Sequence, residues 1–238
     1  MNSGIILGTN GKQQALYLEH MGNDLSVVQA AKVSFADDVN MQHFITRAEA
    51  SQRGEKRSHE ALIDYLAGHD HWTPFAHTAI KLRMSAPIPI RTQCFKHKQG
   101  FVENEESRRY ITSRPELFVP DVFRQAPDAD KVKQGSAGPH AASEVWRAEY
   151  IGRCEEMIDF YEALIKDGVA PEQARFVLPQ GCIVNWIWTG NLFSFANYCR
   201  KRLPSDAQGE SRDLALMVAP IIKSLYPHSW AALMGDLA

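Results

Sequence analysis

One stretch of the chain alternates apolar and polar residues with a period of two, the pattern of a half-buried β-strand. This alternation covers 80–85, and Pro87 ends the predicted strand. A continuous apolar and aromatic run at 182–188 predicts a second, buried strand. Short apolar runs at 5–7 and 15–18 flank a Gly-Thr-Asn-Gly turn and predict a hairpin.

Other stretches repeat apolar residues every three or four positions, as amphipathic helices do. Asp24 and Asn191 are typical N-caps for helices that begin near 25 and at 192, the second ending at 202. Because helices and strands do not alternate regularly, the pattern predicts an α+β fold. Gly168 closes the longest helix, whose predicted apolar face is Trp146, Tyr150, Cys154, Met157, Tyr161 and Leu164. Further helices are predicted at 61–67, 90–97, 171–177 and 210–225, the last one bent or broken near Pro220.

The composition is that of an ordinary globular protein. The 238 residues are 45% hydrophobic and 23% charged, with a formal net charge of -2, which excludes disordered, fibrous and membrane-spanning classes. The mild negative balance argues against a general nucleic-acid-binding protein, although a local basic pocket for one phosphate is compatible with it. The segment 121–139, rich in Gly, Pro and Ala, predicts a long mobile loop.

The cysteines predict a reduced, soluble, cytoplasmic protein. Cys94, Cys154, Cys182 and Cys199 form no CxxC pair and no zinc spacing, and the N-terminus lacks a secretion signal. Cys182 follows a glycine and enters an apolar strand, which favours an inert core thiol over a nucleophile.

The most distinctive segment of the chain is QCFKHKQGFVENEESRRY at 93–110. Composition alone is compatible with a solvated loop held by salt bridges. The segment also contains directional hydrogen-bond formers among its cations, which favours a site for a phosphate and a planar heterocycle. These residues alone are compatible with both interpretations, the solvated loop and the ligand site.

Two further segments carry candidate chemistry. HDHWTPFAH at 69–77 contains three histidines, but no HExxH spacing and no Cys or carboxylate cluster completes a zinc site, so a Trp-Thr-Pro-Phe turn packed on the core is favoured. Arg175, alone in an apolar segment, indicates a buried ion pair or an anion site. Asn197 and Arg202 are five residues apart, about 140° around a helix, so they would meet two ligands or ligands in different subunits.

Several common sites are missing from the sequence. There is no GxGxxG after a strand, no Walker loop and no GxSxG motif. A dinucleotide cofactor, if the protein uses one, is therefore not held in a Rossmann crevice.

The segment 93–110 resembles the signature of flavin-dependent thymidylate synthases, in which RHR is followed by seven residues and Ser, with NExSxRY at the right end. NEESRRY at 104–110 matches the right half, whereas the left half contains Lys96-His97-Lys98 and one extra residue lies between the halves. Other segments are similar to this family in the same order, at 21–35, 62–77, 85–93, 174–179, 189–202 and 207–212.

The resemblance implies one domain over 1–238, with a small central, mainly antiparallel sheet flanked by helices, in a homotetramer with shared active sites. It implies methylation of deoxyuridylate (dUMP) with methylenetetrahydrofolate as carbon donor, NADPH as hydride source and FAD as hydride relay, without a protein nucleophile or a metal. Arg202 would stabilise negative charge on the pyrimidine. The implied dUMP contacts are Gln93, Lys96, Glu105, Ser107, Arg108, Arg109, Arg175 and Arg202. The implied FAD contacts are Ser34, Thr73, Lys96, His97, Lys98, Glu105, Asn191 and Asn197.

Three positions depart from the family pattern. Lys96 and Lys98 keep the positive charge of the two family arginines but lose their bidentate geometry, and Ala76 replaces a glutamate. These changes leave two alternatives to thymidylate formation: a related transfer that gives a hydroxymethyl pyrimidine, and a flavin- or nucleotide-binding protein without catalysis.

Overall fold

A computed structural model describes residues 13–34, 42–55, 57–128 and 135–238, and confirms an α+β fold with one antiparallel sheet. The strands are β1 (Gln14–Met21), β2 (Ala79–Pro87), β3 (Phe101–Glu105) and β4 (Ile183–Gly190). Their order in the sheet is β1-β2-β4-β3. The run at 5–7 lies outside the described residues, and β1 pairs with β2 across the sheet.

The helices surround this sheet, and several begin or end where the sequence predicts. Asn191 caps the helix that begins at Leu192, as predicted, and accepts a hydrogen bond from the Ser194 N–H at 2.9 Å. The helices are α1 (Asp24–Ala31), α2 (Arg47–Gln52), α3 (His59–Gly68), α4 (Thr73–Ala76), α5 (Ile88–Phe95), α6 (Ser143–Lys166), α7 (Pro171–Ala174), α8 (Leu192–Arg202), α9 (Gly209–Leu225) and α10 (Pro227–Met234). Short 3-10 turns cover Arg175–Val177 and Gly235–Leu237.

The predicted cap at Asp24 is wrong by one residue. Asn23 caps α1 by accepting from the Ser26 N–H at 3.2 Å. The buried Asp24 carboxylate accepts instead from the N–H groups of His228 and Ser229, at 3.0 and 2.9 Å. Asp24 therefore satisfies the free N–H groups at the start of α10, a helix that local patterns did not predict.

The core lies between the sheet and helices α8, α9 and α10. Trp188 of β4 stacks on Phe101 of β3 with ring centroids 4.2 Å apart, and its edge contacts Phe195 and Tyr198 of α8. All four rings are buried. Since aromatic rings in such contacts have defined geometry, this cluster sets where the C-terminal end of α8 lies relative to the sheet.

Some predicted positions of apolar side chains are wrong. Trp146 and Met157 of α6 are 54% and 42% exposed, whereas Cys154 and Tyr161 are buried as predicted and Ile158 is buried in addition. The reason is that α6 covers only a small cluster around Leu117 rather than the main core.

Two further predictions, at aromatic and proline positions, are confirmed only in part. The turn at 72–75 packs on the core through Pro74 and Phe75, as predicted, but Trp72 is 52% exposed. Helix α9 continues through Pro220, which faces solvent, and it remains one helix to Leu225.

The segment 121–139 has paired ends. Arg124 and Pro139 form an antiparallel bridge, and the Gln125 N–H donates to the Gly138 carbonyl oxygen at 2.9 Å. Residues 129–134 lie outside the described part, so the mobility of this loop stays a prediction. Among the described residues, no helix has the length and apolar character needed to cross a membrane.

Candidate active site

A cleft of about 450 Å³ opens beside the end of β3, where the chain enters the ESRR part of its signature. Its walls bring together four of the predicted nucleotide contacts, Glu105, Ser107, Arg108 and Arg175. Arg175 belongs to the 3-10 turn that follows α7. The cleft also contains four polar side chains that the resemblance did not supply: Arg91, Glu106, Gln180 and Cys182.

Arg91 pairs with Glu105 across the cleft wall. Their Nε and Oε2 atoms lie 2.9 Å apart, and the Arg91 guanidinium lies over the Phe95 ring, 5.2 Å from its centroid. Burial raises the pKa of Glu105, while the charge of Arg91 opposes the shift, Glu106 adds to it and Arg175 lowers it. The charge state of Glu105 therefore depends on the arginines around it. The signal for Arg91, an arginine within the apolar run IPIRT, is the same one that identified Arg175.

Arg109 lies outside the walls of the cleft. It pairs with Glu172 at 3.1 Å, and both side chains are more than half exposed. Arg175 contacts the same residue, donating from Nε to the Glu172 carbonyl oxygen at 3.3 Å. Glu172 thus connects both arginines to the first turn of α7.

A second group of predicted residues meets at the ends of α5 and α8. The Nε of Arg202 donates to Nε2 of His97 at 3.2 Å, and the His97 ring packs edge-on against Tyr198. Burial, together with the charges of Arg202 and Lys201, lowers the pKa of His97 to about 4. His97 is therefore neutral at pH 7, so it orients the Arg202 guanidinium without cancelling its charge.

Gln93 lies on the α9 side of α5. Its Oε1 accepts from the Ser211 hydroxyl at 2.8 Å, and its Nε2 donates to Oε1 of Gln208. Arg91 and Gln93 are two residues apart, about 200° around the helix. Helix α5 therefore separates the cleft at Glu105 from the group around Gln93 within one chain.

The predicted flavin contacts are distributed around α4, α5 and α8. Lys98 pairs with Glu103, and Asn197 accepts from Arg200. The Asn191 oxygen is used by the cap of α8, which leaves its amide N–H groups for a ligand. The contacts that are exposed to solvent are Ser34, Thr73, Lys96 and Lys98.

This set of donors fits FAD. Two exposed ammonium groups suit a diphosphate, and amides and hydroxyls suit the polar edges of a planar ring. Helix α4, which begins at Thr73, packs against both α1 and α8, so hydroxyl and amide donors come from neighbouring elements. In the described residues no group of three or more His, Cys, Asp or Glu side chains is placed to hold a metal ion.

Comparisons with known proteins identify the family and the fold. A family model described as "Thymidylate synthase complementing protein" matches residues 17–228. The flavin-dependent thymidylate synthase of Thermus thermophilus is 34% identical over 216 residues, which cover 90% of this chain and 73% of the relative. That of Thermosipho africanus is 32% identical over 225 residues, with 92% of each chain covered.

A solved structure has the same fold. The UMP/dUMP methylase PolB from Streptomyces cacaoi, bound with 5-Br dUMP, superposes with a TM-score of 0.78 at 24% sequence identity, covering 93% of this chain and 94% of that one. At this identity the likeness concerns the fold alone. The match to the family model and the identity to the curated relatives establish more than the fold: this chain belongs to the family of flavin-dependent thymidylate synthases.

Proposed function

We propose that this protein methylates dUMP at C5 of the pyrimidine, with methylenetetrahydrofolate as carbon donor, NADPH as hydride source and FAD as hydride relay. The observation that carries the proposal is the cleft beside β3, which Glu105, Ser107 and Arg108 of the family signature line together with Arg175. A volume near 450 Å³ lies within the usual range for small-molecule sites, roughly 300–1,000 Å³.

The cleft residues divide into phosphate and base contacts. The guanidinium groups of Arg108 and Arg175 suit the nucleotide phosphate, because a planar fork can bind two anionic oxygens at once. The Ser107 hydroxyl adds a donor, and the Glu105 carboxylate is an acceptor for an N–H group of the substrate. Arg109, outside the walls, would reach the same nucleotide only after releasing Glu172.

Arg202 stabilises negative charge that develops on the pyrimidine. The guanidinium is permanently charged, and neutral His97 holds its Nε at 3.2 Å. Bound FAD supplies the hydride chemistry of the reaction. Lys96, His97 and Lys98 would hold its diphosphate, with Ser34, Thr73, Asn191 and Asn197 at its polar edges.

The separation of the two groups by α5 supports a homotetramer with shared sites. Gln93 contacts α9 on the side of the helix away from the cleft, and His97 and Arg202 meet beyond the C-terminal end of the helix. A second subunit that presents its Arg202 to this cleft would complete the site. A cytoplasmic location belongs to the same proposal, supported by the four free and buried cysteines.

The product formed from dUMP tests this function. We expect the purified protein to show the absorbance bands of oxidised flavin and to convert dUMP to thymidylate in the presence of methylenetetrahydrofolate and NADPH, measured by mass spectrometry. A hydroxymethylated product without thymidylate would favour the related transfer reaction. Binding of dUMP and FAD without any product would favour the non-catalytic alternative.

We expect Arg91→Leu to move the acid limb of the pH profile. Burial raises the pKa of Glu105 and the positive charge of Arg91 opposes that shift, so loss of the charge raises this pKa further. Because the ionised carboxylate is the acceptor for dUMP, kcat/KM then falls at a higher pH than in the wild type. The control Arg91→Lys keeps the positive charge, so we expect the acid limb of its pH profile to be nearly unchanged. A uniform loss at every pH would contradict this role of Arg91.

A further inference from the structure

A continuous chain of hydrogen bonds leads from the base of the 121–139 segment to Gln93. Arg124 donates from Nη2 to both carboxylate oxygens of Glu210, at 2.7 and 2.8 Å. The Gln208 Nε2 donates to Oε2 of Glu210 at 3.0 Å, and the Gln208 Oε1 accepts from Nε2 of Gln93. The Ser211 hydroxyl donates to Oε1 of Gln93 at 2.8 Å. These hydrogen bonds join three elements that are distant in sequence: the 121–139 segment, the start of α9 and helix α5.

The donors and acceptors in this series of hydrogen bonds can be arranged in one direction only. An ionised carboxylate accepts hydrogen bonds and cannot donate, so Glu210 requires the NH₂ group of Gln208 to face it. The oxygen of Gln208 must then face Gln93, and this requires the NH₂ group of Gln93. A flipped Gln93 would set its oxygen against the oxygen of Gln208. The orientation of two amides thus depends on one carboxylate.

Arg124 holds that carboxylate in place and contributes to keeping it ionised. Burial would raise the pKa of Glu210, but hydrogen bonds from its own backbone, Arg124 and Gln208 outweigh it and lower the pKa. Gly209 leaves room for the contact, since a Cβ there would lie 3.2 Å from Nη1 of Arg124. The Arg124 Nε also donates to the Ser136 hydroxyl at 2.6 Å, which ties both ends of the segment to the guanidinium.

We infer that Arg124 is a positioning residue for nucleotide binding, which acts through Glu210 and Gln208 to fix the direction in which the Gln93 amide faces. One N–H hydrogen and one lone pair of that amide remain for a ligand, and their placement depends on this chain. The inference rests on the proposed function, because it takes Gln93 as a contact of dUMP.

The test compares dUMP binding in two backgrounds, wild type and Gln93→Ala, by isothermal titration calorimetry of the full chain with FAD. We expect Arg124→Ala to weaken dUMP binding about fivefold to tenfold in the wild-type background, the size of one hydrogen bond of ordinary strength. Glu210→Gln keeps the shape of the side chain but permits both amides to flip, and has the same effect. In the Gln93→Ala background neither substitution changes the affinity further.

A matched control uses another surface arginine that pairs with glutamates. Arg153 of α6 pairs with Glu149 and Glu156, and Arg153→Ala leaves dUMP binding unchanged in both backgrounds. The inference is overturned if Arg124→Ala weakens dUMP binding equally in the wild-type and Gln93→Ala backgrounds. It is also overturned if Glu210→Gln binds dUMP as tightly as the wild type, or if the wild type binds no dUMP. A wild type that binds dUMP tightly yet forms no thymidylate contradicts the proposed function alone.

Discussion

Arg202→Ala lowers kcat for thymidylate formation by about 10²- to 10³-fold, the usual loss when a preorganised charge that stabilises a developing anion is removed. Arg202 ends α8, whose inner face is anchored by the buried Phe195 and Tyr198, and neutral His97 orients its guanidinium. The positive charge is therefore fixed before substrate arrives. Single-turnover rates at saturating dUMP measure the effect, with circular dichroism to check the fold.

Two companion variants separate this role from others. Arg202→Lys keeps the charge but loses the fork, so its rate should fall between those of the wild type and the alanine variant. Cys182→Ala should keep most of the rate, because burial raises the pKa of the thiol to about 11 and a protonated thiol is a poor nucleophile. A loss in Cys182→Ala as large as that in Arg202→Ala would indicate nucleophilic catalysis and contradict the proposed mechanism.

Gly100→Ala destabilises the protein by about 2–4 kcal/mol, combining left-handed backbone strain with a lost helix cap. Gly100 has a φ of +71°, and a Cβ there would overlap Ser194 Oγ and lie 2.6 Å from Nδ2 of Asn191. Those two side chains form the cap of α8. The same substitution therefore disturbs the helix that carries Asn197 and Arg202.

Urea unfolding monitored by tryptophan fluorescence measures this loss. Gly152→Ala is the matched control, since Gly152 lies on an exposed part of α6 and a Cβ there would meet no atom within 4 Å apart from the backbone of its own helix. We expect that control to stabilise the protein by about 0.5–1 kcal/mol, the helix propensity difference between glycine and alanine. Equal midpoints for Gly100→Ala and the wild type would show that the turn tolerates a side chain.

Local signals in the sequence predict the elements that depend on local forces. Strand β2 follows from alternation and from Pro87, and α8 follows from the cap at Asn191. Strand β3 does not, because its five residues, FVENE, are largely polar and have the composition of a charged loop. It becomes a strand only by pairing with β4, a contact that joins residues far apart in sequence.

In the candidate site, too, some residues are predictable from the sequence and others are not. Glu105, Ser107, Arg108 and Arg175 follow from the resemblance, and the structure places all four around one cleft. Arg91 does not follow, since its role appears only when the helix after Pro87 brings it against Glu105. Long-range packing decides such contacts, and no short pattern encodes them.

Strand β3 is an edge strand: β2 and β4 have partners on both sides, whereas among the described residues β3 pairs only with β4. A strand bonded along one side opens locally at a smaller free-energy cost than the strands inside the sheet. Glu105 ends this strand, so the cleft proposed to bind the nucleotide is built on an edge of the sheet, which opens more readily than the interior strands. A bound ligand stabilises the closed form by mass action. Occupancy of the cleft and amide-exchange protection of β3 are therefore thermodynamically coupled. A bound nucleotide would stabilise a strand that has a hydrogen-bonded neighbour on one side only.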